Sequence, residues 1–142
     1  MPASERAIVD VVREWVEKAE NDLQNAALTL RASREPPTDT IVFHAQQCVE
    51  KYLKALLTLR EIDFPKIHDL EELVARVGPD AMVGFSVQEQ RRLTGYATVT
   101  RYPGDYEPVS LAEARRAVAL ARRVRKEIRR ALPRTAVRRR KR

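Results

Sequence analysis

Between Thr38 and Arg60 the apolar side chains fall on two adjoining helical stripes, Ile41, Ala45, Cys48, Tyr52, Ala55 and Leu59 on one and Val42, Val49, Leu53 and Leu56 on the other. A helix apolar over so wide an arc has to be covered on most of its surface, which places it at the centre of a bundle. The preceding segment supplies a partner. From Glu5 to about Arg34, the residues Ile8, Val12, Trp15, Val16, Ala19, Leu23, Ala26, Ala27 and Leu30 recur at intervals of three and four, the spacing of a long amphipathic helix. Pro36 and Pro37 end it, and Thr38 and Asp39 offer side-chain oxygens to cap the next helix.

Three further helix starts carry their own signature. Asp69 with Glu72 reads as a capping box for a short helix through Val77, closed by Gly78-Pro79. Ser86 with Glu89 repeats the pattern at the head of a fourth helix, which Gly95 weakens before Pro103-Gly104 turns the chain. Ser110 with Glu113 opens the last one. There Leu111, Ala114, Ala117, Val118, Ala121, Val124, Ile128 and Leu132 form the stripe to be buried, and Arg115, Arg122, Arg123, Lys126, Arg129 and Arg130 take much of the remaining surface. Pro133 stops it. The expected fold is all-α, a four-helix bundle with an additional short helix, occupying residues 1–132. Residues 133–142 hold five arginines and a lysine with almost nothing to bury, so a basic disordered tail is expected there.

At 142 residues the chain suits one domain with one core. Its single cysteine, Cys48, cannot pair internally, no apolar run approaches the roughly 18 residues of a membrane span, and no secretory signal opens the sequence. A cytoplasmic location, away from membranes, is the expectation. The formal charge of +7 is unevenly placed: residues 1–109 sum to −5 and residues 110–142 to +12. A dense cationic segment releases counterions from phosphate chains, so nucleic acid or another acidic surface is a reasonable partner, with a merely solvated helix face as the alternative.

Chemistry has few places to reside. His44, Gln47, Lys51 and Lys54 follow at spacings of three, four and three, within about 80° of arc on the second helix. Such a stripe can grip phosphate or nucleobase edges, or simply face solvent. Asp22 sits at the edge of an apolar face and calls for a cation, with Lys51, Lys54 and Arg101 as candidates. His44 and His68 lack a third ligand at regular spacing, so neither a metal nor another cofactor is expected. The segment Thr100-Arg101-Tyr102-Pro103-Gly104-Asp105-Tyr106 gathers a guanidinium, two phenols and a carboxylate beside a turn. It can either contact phosphate and base or pack onto the bundle.

Four stretches together resemble the HEPN domain family: Phe43-His-Ala-Gln-Gln-Cys-Val-Glu-Lys-Tyr-Leu-Lys-Ala-Leu57, His68-Asp69-Leu70, Thr100-Arg101-Tyr102-Pro103, and Ala19-Glu-Asn-Asp22-Leu23. The resemblance implies an antiparallel helical bundle that forms a homodimer with a polar cleft near its interface. It also implies a minimal nucleotidyltransferase as partner, in a toxin–antitoxin or defence module. On this basis His44, Gln47, Lys51, Lys54, His68, Arg101 and Tyr102 are the expected binding residues for nucleotide or RNA. Catalytic relatives are metal-independent ribonucleases in which an arginine precedes a histidine by four to six intervening residues. Here Arg101 is followed after four residues by Tyr106, and Arg60 reaches His68 only after seven. The ribonuclease motif is therefore absent. The leading expectation is a non-enzymatic or weakly active homodimer that binds nucleotide or RNA phosphate and works with the nucleotidyltransferase; a divergent metal-independent ribonuclease, with Arg101, His44 and Tyr106 as catalytic candidates, is the first alternative and a pure interaction module the second.

Overall fold

The computed structural model describes residues 1–78, 82, 84–97 and 108–138, and among these it contains helices and no strand. The helices are α1 (Ala3–Ala32), α2 (Thr38–Leu59), α3 (Leu70–Val77), α4 (Val87–Gly95), α5 (Leu111–Ala131) and α6 (Arg134–Val137). As the breadth of its apolar arc requires, α2 is central: it packs against α1, α3, α4 and α5, and 13 of its 22 residues are buried. Val12, Val16, Ala19 and Ala26 of α1, Ile41, Ala45, Cys48 and Tyr52 of α2, and Val118, Ala121, Val124 and Ile128 of α5 form one core. Alanines within these faces let the long helices approach closely, while each buried leucine or isoleucine contributes about 1.5–3 kcal/mol relative to exposure.

Side-chain pairings give the directions of the long helices. Glu20 of α1 meets Arg125 and Arg129 of α5, and Arg13 meets Thr135 beyond its end, so α1 and α5 are antiparallel. Trp15 lies beside Lys54 and Asp22 beside His44 and Lys51, so α1 and α2 are antiparallel too. Consequently α2 and α5 point the same way, as the bond from Thr38 Oγ1 to the Val109 carbonyl at their N-terminal ends also shows (2.8 Å).

The expected caps at Asp69, Ser86 and Ser110 are present. Ser86 and Glu89 close a reciprocal box, at 2.9 and 3.1 Å, and Asp69 accepts from the Glu71 and Glu72 amides. Glu72 itself turns to Arg76 instead of completing a box. Gly78 ends α3 at φ 105°, a left-handed conformation that penalises any residue with a Cβ.

Two expectations need correction. Thr38 and Asp39 do not cap α2: Pro37 holds the N-cap position and the Thr38 hydroxyl is drawn to Val109 instead. Nor does disorder begin at Pro133. Leu132 and Ala136 are buried, and α6 packs on α1. Arg13 donates to the Thr135 carbonyl through Nε and Nη2 at 3.0 and 2.5 Å, and Arg129 to the Val137 carbonyl at 3.2 Å. A few apolar side chains after Pro133 suffice once a preformed surface is there to receive them. Residues 139–142 lie outside the described residues.

Candidate functional site

The polar face of α2 is wired through two buried carboxylates. Asp22, projecting from α1, splits its two oxygens: Oδ1 meets His44 Nδ1 at 2.7 Å and Oδ2 meets Lys51 Nζ at 2.5 Å. Glu50, on α2 itself, accepts from His68 Nδ1 at 2.7 Å and Gln46 Nε2 at 3.1 Å on Oε1, and from Lys54 Nζ at 3.1 Å on Oε2. Gln47 extends the chain by donating to Gln46 Oε1 at 2.7 Å. Lys54 also lies 5.6 Å from the Trp15 ring centre and 5.8 Å from that of Phe64, and these rings meet edge to face. The Lys54 amino group is thereby held by a carboxylate and two aromatic faces.

Both histidines share one arrangement. An ionised carboxylate only accepts hydrogen bonds, so Nδ1 is the donor in each pair and Nε2 is left with no described partner. The His68 side chain is 64% exposed and that of His44 25%. An imidazole oriented through Nδ1 by a buried carboxylate presents an Nε2 able to take or give a proton. Asp22 thus finds Lys51, one of its expected cations, and His44, while Lys54 belongs to Glu50. Among the described residues no three His, Cys, Asp or Glu side chains gather as they would around a metal ion.

The structure therefore places His44 and Lys51 on the Asp22 cluster and Gln47, Lys54 and His68 on the Glu50 cluster, and it adds Gln46, Glu50, Trp15 and Phe64, which sequence reading did not assign to a site. Gln46 and Glu50 widen the stripe from about 80° to about 160° of helix. Their spacing of four residues was the available signal, masked by neighbours that read as core. Arg101, Tyr102 and Tyr106 lie outside the described residues.

A separate ionic cluster joins α1 to α5. Arg125 meets Glu20 through Nε at 2.9 and 3.0 Å, and Arg129 reaches Glu20 at 2.8 Å and the Tyr52 hydroxyl at 3.1 Å. Burial pushes the Glu20 carboxyl up, but hydrogen bonds and charge from Arg125, Tyr52 and Arg129 outweigh it, and the net shift is below the ordinary value. Arg129, expected on the solvent face, is thus half-buried. Burial, reinforced by the Glu20 charge, raises both the Tyr52 phenol and the Cys48 thiol. A thiol so protected from ionisation is a poor nucleophile, in keeping with its place in the core.

The sequence pattern of the HEPN domain matches residues 12–131. The chain belongs to the HEPN domain family. The HEPN fold is also seen in the crystal structure of an archaeal HEPN homologue, which superimposes with a TM-score of 0.68 at 23% identity, covering 86% of this chain and 98% of that one. A protein of Methanocaldococcus jannaschii named "Putative toxin MJ1304" is 42% identical over 50 residues, which make up 35% of this HEPN chain and 31% of that protein. No described helix of the HEPN chain is long and apolar enough to cross a membrane.

Proposed function

We propose that this HEPN protein is the RNA-acting member of a toxin-type module and that His44 and His68 conduct proton transfer at an RNA phosphodiester. The observation that carries this reading is the paired wiring of the imidazoles, each held through Nδ1 by a buried carboxylate that a lysine also contacts. His44 and the residue that anchors His68, Glu50, are six positions apart on α2, about 9 Å of axis. One imidazole Nε2 would accept the 2′-hydroxyl proton as that oxygen attacks phosphorus. The other, protonated, would give its proton to the departing 5′-oxygen, leaving a 2′,3′-cyclic phosphate. Lys51 and Lys54 would moderate charge developing on the phosphate. The name carried by the M. jannaschii relative supports the toxin part of the proposal, and family resemblance supports a homodimer with a nucleotidyltransferase as partner.

A second reading keeps nucleotide or RNA binding, or partner docking, without chemistry. It is favoured by the lysine charges being already met by Asp22 and Glu50, as in a purely structural network. Incubating structured RNA with the purified protein in EDTA separates the two. The catalytic reading expects cleavage with a bell-shaped pH profile, abolished in folded His44→Ala and His68→Ala variants; Arg101→Ala and Tyr106→Phe test the remaining candidates. Intact RNA with wild-type protein removes catalysis and leaves the binding reading.

A further inference from the structure

The outward face of α5 carries Arg115, Arg116, Arg122, Lys126 and Arg130, all exposed and none ion-paired with a described residue. At 100° per residue they fall within about 120° of arc, with only Ala112 and Ala119 among them. Arg123 lies on the same arc, tied to Glu89 at 2.7 Å. The two acidic residues of the helix turn away. Glu113 takes the Tyr96 hydroxyl, and Glu127 lies beside Gly84. From Arg115 to Arg130 the ridge runs 15 residues, about 22 Å.

We infer that this ridge binds the phosphate backbone of RNA, and that α5, rather than the residues after Pro133, is the principal electrostatic contact. A stacked strand carries a phosphate about every 3.4 Å, so ~22 Å of strand offers some six charges to the cations of the ridge. Guanidinium groups suit phosphate oxygens because their planar donors engage two at once. A protein partner is the poorer fit. Stable protein contacts centre on a buried aromatic or large aliphatic anchor, and the ridge has only alanine between its cations. Its uniform sign also opposes pairing with a second copy of itself. The identity of the ligand as RNA rests on the function proposed above; the affinity for a phosphate chain does not.

The test uses a fluorescent 20-nucleotide 2′-O-methyl RNA, which lacks the attacking hydroxyl and so reports binding alone, titrated by anisotropy from 50 to 200 mM KCl. Simultaneous Arg115→Gln, Arg122→Gln and Lys126→Gln changes should flatten the slope of log affinity against log salt by about 2, as loss of three contacts to a single strand requires, with at least a ~10-fold loss of affinity. Lysine at positions 115 and 122 should restore the slope, which a defect in folding would not allow. Cleavage of a dinucleotide, too short to reach along the ridge, reports the α2 site separately and should be unchanged by the triple glutamine variant. Absence of dinucleotide cleavage with the slope change intact would remove the catalytic reading and uphold the ridge. Equal slopes in wild type and triple variant, no binding by wild type, or equally effective competition by polyglutamate would overturn it.

Discussion

Glu50 is 3% exposed and supports three donors at once, from Gln46, Lys54 and His68. Replacing it with alanine leaves a buried ammonium without its counterion, a change that costs about 3–5 kcal/mol in comparable settings. Urea unfolding should show this loss, and Lys54→Met in the same chain should recover part of it, because no unpaired charge then remains. Glu20 makes a different prediction. Its folded-state pKa lies below the ordinary value, so its ionised form is favoured in the fold. That contribution is complete above the unfolded-state pKa of about 4.3 and is lost as pH falls through the lower folded value. Stability measured from pH 6 down to 3 should therefore fall less steeply in Glu20→Gln than in wild type, although the variant begins less stable at pH 6.

At the scale of elements, the helix starts are where local sequence and structure agree most closely. The Ser86–Glu89 box satisfies two amides that α4 cannot satisfy within itself. Ser86→Ala should cost about 1 kcal/mol, read from the shift in denaturation midpoint at unchanged slope. The capping signals at Asp69, Ser86 and Ser110 were legible because each acts over three residues. Thr38 was misread because its hydroxyl is engaged by Val109, 71 positions away. The α6 turn failed to show for the same reason: Ala136 is buried only because α1 is already present beneath it. Truncation after Leu132 should lower the melting temperature by several degrees.

For the molecule as a whole, Cys48 reports on the integrity of the core. It is fully buried on the central helix, and burial raises its thiol pKa. Alkylation in native buffer should be slow and should accelerate in parallel with global unfolding as urea is added, because α2 contacts every other long helix and cannot open alone. Reaction far faster than unfolding would reveal a local opening of α2.

Hydrophobic periodicity was enough to determine the all-α class, the central place of α2 and the faces that α1 and α5 bury, since these follow from spacing along one helix at a time. The polar stripe of His44, Gln47, Lys51 and Lys54 was legible by the same rule. Its wiring was not. Whether Asp22 would take Lys51 or Lys54, and that Glu50 would hold His68, depends on which turn of α1 and of the α2–α3 connection lies over which turn of α2. Only packing sets that register, because a carboxylate is drawn to whatever cation the fold places within about 3 Å and carries no mark of that choice in its own neighbours.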